Sequence, residues 1–200
     1  PLMVKLAEEE SFLDELGLYI IKEACKDAQK LQKEGTPLSI SVNISPKQLE
    51  SAVFVREVRR ILQEVDLHDI QLILEVTERS LLSTSGRILE RIRELKQLGI
   101  QMSMDDFGMG HSSMMYLQEN AFDEVKLDGS LVRQILENER SRDIVRGITR
   151  LAASMQFHVV AEFVETREQM ELLKALHCDI YQGYYYGKPC SCYEFIIKYL

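Results

Sequence analysis

Apolar and polar positions along the chain follow two periods, and their alternation divides it into helices and strands. Over 10–32, Phe12, Leu13, Leu16, Ile20, Ala24 and Ala28 recur at helical spacing, predicting one helix with a single buried face, stopped by Gly35-Thr36-Pro37. Residues 38–44 alternate and are β-branched, which predicts a strand. Ser45 and Pro46, a capping hydroxyl and then proline in the first turn, open a second helix that runs to about 65. Strands at 71–76 and 100–104 flank a helix over 86–98 that Gly99 ends. A strand at 122–127 leads to the clearest helix, 142–155, with Ile144, Val145, Ile148, Leu151, Ala152 and Met155 on one stripe. Strands at 157–161 and 180–181 enclose a helix over 169–176, and a last helix runs from about 193 to the end.

Six strands alternating with helices predict an α/β fold with a parallel sheet, read here as a TIM-type (β/α)8 barrel. Eight strands need more residues than these 200. Six of the eight are therefore expected here, in one domain spanning 1–200 that is incomplete at its N-terminus. The start at Pro1, with no Met and directly before a helical pattern, agrees with a piece of something larger. Such a piece should form an incomplete barrel or cover its open side by pairing as a homodimer. An open doubly wound sheet is the competing architecture, and it too would bind ligands at the strand C-termini.

The strands end in polar residues: Asn43, Glu75, Asp105 with Asp106, Lys126, Glu162 and Gln182. Carboxylates and an amide converging on one face suit hard divalent cations. Adjacent side chains alternate across a strand, so Asp105 and Asp106 cannot both share one environment. One would be buried at a cost of several kcal/mol unless a cation or a bent loop relieved it. Glu75 and Glu78, like Glu162 and Glu165, pair an acid at a strand end with a second acid three residues on; a helix-start capping box is the structural reading of that spacing. Lys126, inside an apolar strand, needs a carboxylate or an anionic substrate. The stretch from Gly108 to Ser113 lacks the third glycine of a dinucleotide fingerprint. Tyr184-Tyr185-Tyr186 reads as packing before base stacking.

With 46% apolar residues the chain can build one large core, and no run of apolar residues is long enough to span a membrane. A net charge of −8, with runs such as Glu8-Glu9-Glu10 on the surface, excludes a nucleic-acid polymer as partner but allows a small phosphorylated ligand bridged by cations. Cys25, Cys178, Cys190 and Cys192 lack zinc spacing and read as reduced thiols in the cytoplasm.

In order and spacing, Val-Asn43-Ile-Ser, Glu75-Val-Thr-Glu78, Asp105-Asp106-Phe-Gly, Lys126-Leu-Asp128, Ala-Glu162-Phe-Val-Glu165-Thr and Gln182-Gly-Tyr resemble the EAL-domain family of bacterial cyclic-di-GMP phosphodiesterases. Pro1, Ala7-Glu8 and the first helix match the segment that follows that family's signature. The resemblance implies hydrolysis of cyclic di-GMP to the linear dinucleotide with two Mg2+ or Mn2+ ions. It makes Asn43, Glu75, Asp105 and Asp106 the metal ligands, with Asp105 bridging. Lys126 is implied to hold the water or phosphate and Glu162 to be the general base. Glu165, Gln182 and Asp128 belong to the substrate and water site, and Glu78 steadies the loop after Asp106. Fused sensor or GGDEF-type domains are implied in a parent protein that is cytoplasmic or anchored to a membrane elsewhere.

Three departures stand out. The Glu-Ala-Leu signature, with its metal-binding glutamate, would lie upstream of Pro1. The family's glycine between Glu162 and Val164 is Phe163, and a tyrosine and a proline before Lys126 are replaced by His111 and Ala121. These departures keep open a degenerate domain that binds cyclic di-GMP, or only a protein partner, without turnover.

Overall fold

A computed structural model of the chain describes residues 12–32, 37–65, 67, 70–81, 87–108 and 114–199. The first residues of the expected first helix, Ala7 with the Glu8-Glu9-Glu10 run, Gly35-Thr36, Gly86 and the 109–113 stretch with His111 lie outside them. The chain divides into two compact units, Pro1–Glu75 with Thr84–Gln101 and Ser191–Leu200, and Val76–Ser83 with Met102–Cys190. Two of the four divisions, at 75/76 and 101/102, fall inside strands.

In the first unit, helix α1 (Leu13–Leu31) packs on strand β1 (Leu38–Asn43), which pairs in parallel with β2 (Ile70–Thr77), Asn43 opposite Glu75. In α1 Gly17, Ile21 and Cys25 are buried, each one position after the expected Leu16, Ile20 and Ala24, while Ala28 is buried as expected; Phe12 and Ile20 are exposed. The reason is Gln48, which is buried and donates from Nε2 to the Leu13 carbonyl at 3.0 Å, against the bare backbone of Gly17. Ser45 does cap a helix, in a capping box with Gln48, but that helix, α2 (Pro46–Glu50), stops after five residues. Ser51, in extended conformation, breaks the expected long helix and starts α3 (Ala52–Glu64), its hydroxyl accepting the Phe54 N–H. Helix α5 (Ile88–Gln97) packs on α2 and α3, and α10 (Cys192–Tyr199) contacts α1.

The second unit begins with the last residues of β2 and the single turn α4 (Glu78–Leu81). Its sheet contains β3 (Gln101–Phe107, from Met102 onward in this unit), β4 (Glu124–Leu127), β5 (His158–Ala161) and β6 (Ile180–Tyr181), paired in parallel in chain order. Helices α6 (Met114–Gln118), α7 (Gly129–Arg133), α8 (Glu139–Met155) and α9 (Arg167–Ala175) lie between these strands in sequence. Two aspartates pin the strand starts. Asp123 Oδ2 accepts the Met102 N–H at 2.9 Å and Asp179 Oδ2 accepts the Val159 N–H at 2.7 Å. With their starts tied, the strands deliver their last residues to a common end. In α8, Val145, Ile148 and Ala152 are buried as expected, whereas Ile144 is exposed and Ser141 and Thr149 join the buried face. Among the described residues six strands are present, and no helix is long and apolar enough to cross a membrane.

Candidate active site

Strand β4 is buried along its whole length, so the Lys126 ammonium needs an anionic partner. Its partner comes from the residue after β5. Lys126 Nζ stands 2.7 Å from Glu162 Oε1, with the two side chains 5% and 14% exposed. Register explains the meeting: Leu127 lies opposite Ala161, which brings the two strand ends level. A pair this deeply buried is held by geometry, and removing either member leaves an uncompensated charge.

Strand β3 does not end before the acidic pair, as the sequence suggested, but runs through it to Phe107. Pairing with β4 slips between Met104 and Phe107, a bulge, and Asp106 has φ 57°. Aspartate tolerates this left-handed conformation better than most residues. The bend keeps Asp105 half-buried and Asp106 exposed, so neither carboxylate is forced into the core. The Asp106 N–H donates to Asp105 Oδ1 at 2.8 Å. Partial desolvation of its carboxyl beside the bulge, and then the negative charges of Asp105 and Asp128, push Asp106 above its ordinary value even though the residue is exposed as a whole, against the opposing pull of Arg79 and Lys126. Asp128 also caps α7, accepting the Ser130 N–H at 2.8 Å. Glu78 is buried at the start of α4, and its Oε2 accepts the Gly108 N–H at 3.3 Å just past the bulge. In the other unit Glu75 is buried and Asn43, its register partner, is exposed.

The loop after β5 is stitched to the turn after β6. The Val164 N–H donates to the Gln182 carbonyl, the Gln182 N–H to the Ala161 carbonyl and the Tyr185 N–H to the Val164 carbonyl, at 2.9–3.1 Å. Gly183 is required there, because a side-chain carbon would collide with the Val164 backbone. Gln182 and Glu165 are exposed at the strand ends, and the Glu165 backbone N–H donates to Gln169 Oε1 at 2.8 Å. A cavity of about 300 Å³ opens between these loops, lined by Arg133, Glu162, Phe163, Glu165, Gln182, Gly183 and Tyr184.

Phe163 adopts φ 56°, the conformation in which glycine is at ease, at a cost for an aromatic residue of about 1–2 kcal/mol. The Arg133 guanidinium lies 4.1 Å from its ring centroid. Glu162 keeps its bond to Lys126 with Phe163 in place. Arg133 and Gly129 carry no sequence signal: one turn of helix shows no periodicity, and their role arises only from the loop that reaches them. Tyr184, read as packing, lines the cavity, while Tyr185 and Tyr186 meet edge to face with centroids 5.2 Å apart.

Two adjacent carboxylates suit Mg2+, which is held by one or two carboxylates together with waters and substrate phosphates. Among the described residues no three His, Cys, Asp or Glu side chains close on a single point.

The EAL domain family model matches residues 1–189. An uncharacterized signaling protein of Caulobacter vibrioides is 40% identical over 93% of this chain and 23% of its own length. The cyclic di-GMP phosphodiesterase NbdA of Pseudomonas aeruginosa is 35% identical over 93% of this chain and 24% of its own. This chain therefore spans about a quarter of those relatives. Among solved structures, the cyclic-di-GMP complex of the PaMucR phosphodiesterase has a TM-score of 0.85 at 30% identity, covering 96% of this chain and 84% of that one. The Bd1971 EAL enzyme with cAMP and cyclic di-GMP bound has a TM-score of 0.84 at 28% identity, covering 98% and 54%. EAL domains have the TIM-barrel fold, which the alternating strands and helices of this chain share. By its motifs, its fold and its relatives, the chain belongs to the EAL domain family.

Proposed function

We propose that this chain is a cyclic-di-GMP phosphodiesterase domain, with Glu162 as general base and Lys126 as the residue that fixes it. The observation that carries this reading is the 2.7 Å Lys126–Glu162 pair, whose Glu162 lines a cavity and whose Lys126 is within electrostatic reach of Asp106. In hydrolysis Glu162 takes the proton of the attacking water as its oxygen bonds to phosphorus. One P–O ester bond breaks, and a proton goes to the leaving oxygen. Lys126 holds Oε1 of Glu162 in place, and Gln182 and Glu165 line the cavity that receives the phosphodiester.

Asp105 and Asp106 would hold divalent metal, Mg2+ or Mn2+. The assignment of Asn43 and Glu75 as further ligands rests on motif order along the chain. When bound, two such cations supply Lewis acidity toward water and neutralise the phosphate charge. The bonded contact to Gly108 supports Glu78 as the support of the loop after Asp106.

We read both compact units as one EAL domain, because two of the divisions cut through continuous strands and the family match runs across both units. The reading places it in the cytoplasm, fused to sensor or cyclase domains in a longer protein; the MucR relative of Pseudomonas aeruginosa is a bifunctional diguanylate cyclase and phosphodiesterase. Phe163, where the family pattern has glycine, favours a second reading, a receptor that binds cyclic di-GMP without turnover. One experiment separates the two: the full-length protein is incubated with cyclic di-GMP and Mg2+ or Mn2+, and products are resolved by chromatography. Linear dinucleotide that disappears in Glu162→Gln supports the enzyme. Binding without product in the wild type supports the receptor.

A further inference from the structure

Phe163 and Gly129 fit each other. The Phe163 ring occupies the space that Gly129 leaves by having no side chain: a methyl there would stand 2.6 Å from ring carbons Cδ2 and Cε2. Gly129 and Arg133 are four residues apart on α7, hence on one face of the helix. The ring crosses that face, with Gly129 beneath it and the Arg133 guanidinium 4.1 Å from its centroid.

The two segments tied together by this contact are those that leave the buried ion pair. Helix α7 starts shortly after Lys126, and Phe163 directly follows Glu162. Phe163 also lines the cavity beside Glu162 and Arg133. We propose that Phe163 is a positioning residue: docked over Gly129 and against Arg133, it latches the loop carrying Glu162 to the helix that follows Lys126, and so sets where the Glu162 carboxylate stands in the cavity. The latch holds the loop in a left-handed turn that glycine would adopt without any anchor. An aromatic side chain at this position then stiffens the site and does not distort it.

This inference rests on the reading of Glu162 as the base, and the test keeps the two apart. In the full-length protein, kcat and KM for cyclic di-GMP are measured for Phe163→Gly, Phe163→Tyr, Gly129→Ala and the Gly129→Ala/Phe163→Gly double variant. A latch predicts that Phe163→Gly lowers kcat about tenfold with KM within about threefold, as for an interaction used mainly in the transition state. Phe163→Tyr, which keeps the ring over Gly129 and against Arg133, should lose less of kcat than Phe163→Gly. Gly129→Ala should reproduce the loss, and the double variant should be no slower than Phe163→Gly alone. An unchanged or faster Phe163→Gly, or losses that multiply in the double variant, would overturn the latch. If the wild type shows no turnover, the functional reading fails, and the latch is judged by urea unfolding. Gly129→Ala must then lower the midpoint in the presence of Phe163 and leave it unchanged or raised in Phe163→Gly; equal effects in both backgrounds overturn it.

Discussion

Lys126 and Glu162, far apart in sequence, meet at 2.7 Å because their strands pair in a register that brings Leu127 opposite Ala161. Lys126 is buried and Glu162 mostly so, and each charge depends on the other. Lys126→Met should cost about 3–5 kcal/mol of stability, the range for stripping one member from a buried pair. Denaturant unfolding of the full-length protein checks this, and a loss under about 1 kcal/mol would contradict it. Glu162→Gln should cut turnover about 100-fold or more while cyclic-di-GMP affinity stays within a few-fold.

The Asp105–Asp106 bulge trades stability for charge. Burial and the neighbouring carboxylates raise the Asp106 carboxyl, so the folded state favours its protonated form. A carboxyl raised on folding contributes stability below its unfolded value and loses it as pH climbs through the folded one. At neutral pH and without divalent metal, Asp106→Asn should therefore raise Tm, and asparagine suits φ 57°. Calorimetry should show weaker Mg2+ or Mn2+ binding for both Asp106→Asn and Asp105→Asn, by about tenfold or more. A lower Tm for Asp106→Asn, or unchanged metal binding in Asp105→Asn, would count against the assignment.

Gly183 tests the stitching of the two loops. An alanine there would place a carbon against the Val164 backbone, which cannot swing aside like a side chain. Gly183→Ala should destabilise the protein by about 1–3 kcal/mol, the overpacking range. A change below about 0.5 kcal/mol in urea would show that the turn is free to move.

The cysteines should separate by reactivity. Burial pushes the Cys178 thiol up to about 12 and raises Cys25 as well, while Cys190 is exposed. A thiol raised this far stays protonated at pH 8 and reacts poorly. Alkylation of the native protein at pH 8 should label Cys190 first, and Cys25 and Cys178 only on the timescale of unfolding. Equal rates at all four would refute the burial described for Cys25 and Cys178.

The sequence by itself determined the strands and the polar residues at their ends. Runs such as Gln71-Leu-Ile-Leu and Phe157-His-Val-Val have no helical periodicity, and each strand lies within three residues of its expected bounds. It also determined that Lys126 needed a partner, because no ammonium sits alone in an apolar strand. What it could not hold was anything decided by contact between distant segments. The face of α1 turned by one position because Gln48 packs on Gly17. The long second helix broke at Ser51, where a side chain could equally cap a new helix or continue the old one. Helices α4, α6 and α7, of four or five residues, are too short for one turn of pattern to reveal. Only tertiary structure seats Phe163 over Gly129 beside Arg133: a pair of residues becomes complementary in shape when the paired strands that precede them fix their distance, and no local propensity encodes that distance.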